Sequence, residues 1–224
     1  LRRTGASTFA DEGIVDSRTR AGQGAISALA SAGAAVAGSA SLPGDTATVF
    51  VGTGANLDAP SGIDARAKTT HAFDDLAVGG SLSALFATSV GAAFSVGTTQ
   101  TVVDFRGSAN VANGTLELIA DTDTPYDPDA LGLAVALTPL GIVASGSVEA
   151  VFSLNATRAL ISGSGIISAD AVELRATDDS VYDTDAGTLS VAGVAAAGAA
   201  IAVNLDGNTV DAAIGGAPAT TDVG

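Results

Sequence analysis

The sequence predicts an all-β fold: a repeat β-solenoid or β-helix built from units of about 55 residues. Three observations predict it. Four segments carry Thr six positions before Gly: Thr46–Gly52, Thr101–Gly107, Thr157–Gly163 and Thr209–Gly215, and their glycines are almost evenly spaced. A second anchor, Ala67…Phe73-Asp74, Ala120…Tyr126-Asp127 and Ala176…Tyr182-Asp183, recurs with nearly the same period. The runs between anchors alternate with period 2, the signature of strands rather than helices. Self-similarity at a fixed long period is the mark of stacked repeat architectures.

Each unit presents the same parts in order. A run of small and apolar residues comes first, at 25–42, 82–96, 131–154 and 188–205. A turn follows at Pro43-Gly44-Asp45, Gly97–Gln100, Asn155-Ala156 and Asp206-Gly207-Asn208, then the Thr-to-Gly strand. A Gly/Ser/Asn-rich loop leads to a short amphipathic strand (Ile63–Lys68, Leu116–Asp121, Val172–Thr177), and an acidic loop closes the unit. The array divides into the tail of a preceding unit (1–20), unit 1 (21–75), unit 2 (76–130), unit 3 (131–186) and an incomplete unit 4 (187–224). The chain contains no Met, and both ends are expected to be cuts within a longer protein.

In the second unit Leu82, Ala84, Phe86, Thr88, Val90, Ala92, Phe94 and Val96 share one face, opposite Ser81, Ser83, Leu85, Ala87, Ser89, Gly91, Ala93 and Ser95. The fourth unit repeats the contrast, with Leu189, Val191, Ile201, Val203 and Leu205 on its bulky face. The small face predicts that two sheets, or a neighbouring chain, approach closely there. Gly33 or Gly38, Gly91, Gly141 and Gly193 or Gly198 are expected to turn corners, and Pro139 to mark a bulge or corner. Stacked antiparallel hairpins are the alternative, because Ala200–Leu205, Asp-Gly-Asn and Thr209–Ile214 read as a hairpin. Leu189–Leu205 contains no charged residue. It is Ala/Gly-rich, without basic flanks or Trp, and reads as strand rather than membrane span.

The short strands have one wet face. Asp64, Glu117 and Glu173 align as an acidic column, and Arg66, Ile119 and Arg175 stand beside it. Each unit is too small to bury its own apolar face, so neighbouring units complete the core.

These units resemble the repeats of leukotoxin-family filamentous adhesins. The residues that carry the resemblance are Val191-Ala-Gly-Val-Ala-Ala-Ala-Gly-Ala-Ala-Ile-Ala-Val-Asn204, Asn208-Thr-Val-Asp-Ala-Ala-Ile-Gly-Gly216 and Ala171-Val-Glu-Leu-Arg-Ala176. Leu42–Asp45 and Pro139 depart from the pattern. The resemblance implies an extracellular or bacterial cell-surface filament body involved in adhesion, and it carries over no catalytic residue.

Composition narrows the chemistry. A net charge of −15 with a single lysine, Lys68, opposes nucleic-acid binding, and the absence of Cys excludes disulfides and thiol nucleophiles. His71, the only histidine, is expected at a solvent edge. Gly163-Ser-Gly165 and Gly52-Thr-Gly54 lack the rest of a dinucleotide fingerprint. The sequons at Asn113 and Asn155 are read as accidental. Phe73, Tyr126 and Tyr182 are expected to pack at a corner beneath the acidic loops, with a binding stripe as the other reading.

The acidic loops hold Asp121, Asp123, Asp127 and Asp129 in one unit and Asp178, Asp179, Asp183 and Asp185 in the next. Carboxylates at this spacing suit calcium, which takes six to eight oxygens. They make these eight residues the candidate metal ligands, although the EF-hand pattern is absent. The expected function is a structural repeat segment of an exported filament or adhesin, with no catalytic or cofactor-binding residue. Its expected partners are identical or similar units, as in a homopolymer, and a cell-surface or matrix ligand. A β-helical polysaccharide-cleaving enzyme and a calcium-dependent interaction module are the alternatives.

Overall fold

A computed structural model describes the backbone of residues 7–215, and side chains at 18–36, 38 and 46–215. The basic start at Leu1–Thr4 and the segment from Gly216 onward lie outside the described residues. The described chain is all-β and passes four times through the same path. The first pass is β1 (Ser7–Ser27), β2 (Ala30–Val51) and β3 (Asn56–Ala59). The second is β4 (Ile63–Ser83), β5 (Phe86–Phe105) and β6 (Ser108–Val111). The third is β7 (Thr115–Asp123), β8 (Pro125–Ala136), β9 (Ile142–Ser153), β10 (Ala156–Ile161) and β11 (Ile167–Ser168). The fourth is β12 (Ala171–Asp178), β13 (Val181–Tyr182), β14 (Asp185–Val191), β15 (Ala195–Asp206) and β16 (Thr209–Ile214).

Each pass contributes to a first sheet (β1, β4, β7–β8, β12–β14) and a second (β2, β5, β9–β10, β15–β16). The first three passes also supply a small third sheet of β3, β6 and β11. One sheet curls strongly, like half of a barrel. Every pairing among the described strands is parallel. Ser7 lies beside Ile63, Ile63 beside Leu116 and Leu116 beside Val172, so the chain returns to the same line at a near-constant interval.

This register corrects the hairpin-like reading of the turns. The strand runs unbroken through Gly97–Gln100. At Pro43–Asp45 the chain makes only a register shift within β2. At Asn155 and Asp206–Asn208 the chain pauses and continues in the same sheet: β15 pairs with β9, and β16 with β10. The corners fall instead at 28–29, 84–85, 137–141 and 192–194. Pro139, Gly141 and Gly193 therefore stand at corners, whereas Gly33, Gly38, Gly91 and Gly198 lie inside strands.

The interior changes character along the strands. At one end an apolar cluster joins all three sheets, around Val103, Phe105, Ile63, Leu116 and Leu118. Burying each such side chain contributes roughly 1.5–3 kcal/mol. At the other end the first and second sheets meet through Ala77, Ser81, Ser83, Ala87, Ser89 and Ala93, all buried. The approach there is almost backbone to backbone. A Cβ on Gly91 would lie 2.7 Å from the Leu131 carbonyl oxygen, and one on Gly132 2.3 Å from that of Gly146. Ordinary sheets pack about 10 Å apart; only small residues permit this spacing. The expected close approach of the small face is thus found, and it explains why Gly91 sits where a corner was expected.

Candidate functional site

The acidic anchors converge on the outer surface of the first sheet. Odd-numbered residues of β7 and β8 face outward, so Asp121, Asp123, Asp127 and Asp129 form a row along one edge of the third pass. Asp74 lies beside Asp127, and Asp129 beside Asp185. The Asp183 N–H donates to the Tyr126 carbonyl, which brings Asp183 into the same neighbourhood. Asp74 is met by Arg18 and Arg20, each at 3.8 Å. Partial burial, then the neighbouring aspartates, raise Asp127 and Asp129 above the usual carboxylate range.

The eight calcium candidates do not share one place. Asp121 faces Arg175 at 3.4 Å. Asp178 occupies the inward register of Thr122 and accepts a hydrogen bond from Ser180 Oγ. Burial raises Asp178, while hydrogen bonds from Ser180 and Asn155 pull the other way. The Asp179 N–H donates to the Thr122 carbonyl. Among the described residues no three His, Cys, Asp or Glu side chains gather in a metal-holding arrangement.

The amphipathic strands keep the register their sequences imply. Asp64, Glu117 and Glu173 are direct neighbours, as are Arg66, Ile119 and Arg175. Arg66 Nε donates to Asp64 at 2.8 Å, and its Nη2 to Glu117 at 3.4 Å. The carboxylates hold the Arg66 guanidinium above its ordinary pKa, Asp64 first. Ile119, outward between the two arginines, is nevertheless only 5% exposed. The long arginine stems on either side offer it cover.

Beneath the acidic rim lies a polar seam. Thr101 donates to Thr69 at 2.8 Å and shares a 2.7 Å bond with Thr122, which shares another of 2.7 Å with Thr157. Next to it, Phe73, Tyr126 and Tyr182 stack from pass to pass with ring centroids 4.8 and 5.3 Å apart. His71 stacks on Phe73 at 4.0 Å and is 2% exposed. The solvent-edge expectation for His71 is therefore wrong: strand alternation turns it inward with Phe73. Tyr126 donates to Ser153 at 3.2 Å, and Ser153 donates to Asn208 at 2.8 Å. Burial pushes the Tyr126 hydroxyl up to about 12. Two acids share this interior. Asp75 accepts from Ser95 at 2.6 Å, and Glu149 accepts from the Ala130 N–H at 2.6 Å.

A polar groove of about 820 Å³ runs across the outer face of the second sheet, over β5 and β10. Asp104, Arg106, Arg158 and Ser162 line it. Arg106 donates to Asp104 through Nε at 2.7 Å and approaches it through Nη2 at 2.6 Å, so its charge is met locally. Sequence reading missed this group because no anchor of the repeat marks it: Asp104 stands beside Phe50 and Leu160, and Arg158 beside Val102 and Asp211. The only signal was charge inside three of the four Thr-to-Gly segments: Asp104 and Arg106, Arg158, and Asp211. Within the groove Ser162 Oγ donates to Asp104 Oδ1, while the sole imidazole lies inside the stack. No family model, curated protein or solved structure matches the chain.

Proposed function

We propose that this chain is a structural repeat segment, a β-solenoid, from an exported bacterial surface filament or adhesin. The observation that carries the reading is the parallel return of the chain on itself through four passes, from Ser7 to Ile63, Leu116 and Val172. Such a stack advances about 4.8 Å per pass and lengthens without limit as passes are added. Asp64–Glu117–Glu173 and Phe73–Tyr126–Tyr182 are continuous from pass to pass, so each added pass meets matched neighbours. The mechanism is geometric: a stiff body that holds a distal binding region away from the cell. The leukotoxin-type adhesin resemblance supports the same reading.

Two measurements test it. Fibre or powder diffraction of the aligned protein is expected to show a meridional spacing of about 4.8 Å, and its absence would remove the solenoid. Protease shaving of intact producing cells is expected to release fragments of this chain; protection until lysis would remove surface display. Turnover of an acidic polysaccharide by the purified chain would favour the enzyme alternative instead. A rise in melting temperature on adding Ca²⁺, abolished by chelator, would favour the calcium module.

A further inference from the structure

Among the described residues, the outer face of the second sheet carries no charge between its corner and Val96 of β5. Its columns follow the register: Phe86 beside Ile142, Val90 beside Gly146, and Val148 beside Ile201. Phe86 is 50% exposed, Val90 47% and Ile142 45%. This exposure is not an effect of a terminal strand, because β5 and β9 each have a paired strand on both sides. Parallel sheets normally have both faces covered, and a soluble chain rarely leaves so wide an apolar patch in water.

We propose that this face pairs with the same face of a second copy of the chain, about a two-fold axis. Three observations select that occupant. At a net charge of −15, two copies repel wherever their charged faces meet, and here neither carries charge. The outer face of the first sheet is a poorer candidate, since Asp127, Asp129 and Asp185 border it. The size also fits. Four strands spaced about 4.8 Å, along about 33 Å of strand, give roughly 600 Å² per copy. The pair then buries roughly 1,200 Å², the lower bound for a specific protein interface. Added passes enlarge it. A lipid surface fits less well: the chain has no Trp, Tyr126 is buried, and no basic residue lies on the face to meet headgroups. The pairing is argued from the exposed uncharged face and not from the filament reading, so it can fail while that reading stands.

The chain lacks cysteine, which makes a single introduced thiol site-specific. In the purified chain, Val90→Cys is expected to cross-link copy to copy with a short bis-maleimide, and Glu173→Cys, on the charged outer face of the first sheet, is not. Sedimentation across the micromolar range is expected to show a dimer. Val148→Lys is expected to raise its Kd at least tenfold while the circular dichroism spectrum is unchanged. If Val148→Lys alters the fold, the cross-linking pair decides alone. A monomer at all concentrations, equal cross-linking from both thiols, or a dimer indifferent to Val148→Lys overturns the proposal. So does a monomer that floats with neutral phosphatidylcholine vesicles, which would assign the face to lipid.

Discussion

Glu149 and Ala130 meet across the interior: the buried carboxylate accepts the backbone N–H of Ala130 at 2.6 Å. The neighbouring passes place Ala93 and Ala202 at the position of Glu149, so this pass alone carries an acid there. Burial, with help from Asp129, Asp185 and Asp127, raises Glu149 to about 7, against an ordinary 4.5. The folded chain therefore holds a proton between about pH 4.5 and 7 that the unfolded chain has released. Stability is fully present below pH 4.5 and falls as pH rises to 7, by up to about 1.4 kcal/mol per pH unit. Raised Asp127, Asp129 and Asp178 act in the same direction. Urea denaturation is expected to give a higher midpoint at pH 5 than at pH 8. Glu149→Gln, which keeps an acceptor for Ala130, is expected to raise the pH 8 midpoint and flatten the profile. An unchanged profile would show that Glu149 does not control it.

The aromatic stack depends on a missing side chain opposite it. A Cβ on Gly97 would come 2.2 Å from Tyr126 Oη and 2.9 Å from Phe73 Cε2. Gly97→Ala must push both rings aside, and overpacking of this kind costs about 1–3 kcal/mol. Tyr126→Phe removes only the bond to Ser153 and is expected to cost about 1 kcal/mol. The combination Gly97→Ala/Tyr126→Phe should cost less than the sum, because the hydroxyl is the atom in the way. Additive losses in chemical denaturation would show that the clash is not relieved this way.

The threonine seam behaves as one chain of hydroxyls. Thr122 is bonded to both Thr101 and Thr157, so Thr122→Val removes two bonds and is expected to cost about 1–3 kcal/mol. Thr101→Val in the same background should cost less than it does alone, since their shared bond is already gone. A double-mutant cycle reads that coupling, expected at about 0.5–1 kcal/mol. Zero coupling would mean the hydroxyls find other partners.

What was legible in the sequence follows from side-chain identity. Phe73, Tyr126 and Tyr182, each followed by Asp, are distinctive enough to fix register, and the structure stacks them. Thr46 and Thr209 misled. Thr101 pairs with Ala47 rather than Thr46, and Thr157 with Val210 rather than Thr209. A shift between Ser41 and Asp45 breaks the strict period before the first of these. A slip of one residue reverses every side chain, so matching letters there put Thr46 on the wrong face. Nor did alternation reveal which face lies inside. Ser, Ala and Gly line the narrow interior, while Phe86 and Val90 face out, inverting the usual partition. The polar groove was hidden because Asp104 and Arg158 are departures from the repeat.

Gly91 gives the sharpest test of the narrow interior. Its missing Cβ would sit 2.7 Å from the Leu131 carbonyl oxygen and 3.0 Å from that of Ala77, both on the facing sheet. Neither contact can yield by a rotamer change, because both are backbone atoms held by ladder hydrogen bonds in β8 and β4. Gly91→Ala must therefore part the two sheets locally, against the buried contacts of Ala77, Ala93 and Ala130. The expected loss is about 2–3 kcal/mol, at the upper end of overpacking costs. Gly22, whose nearest such contact is 4.0 Å, is the control: Gly22→Ala should leave stability within about 0.5 kcal/mol. The pair separates close approach from strand propensity, since both sites are extended and both gain the same methyl. Equal effects in guanidinium denaturation would mean that the sheets do not meet as described.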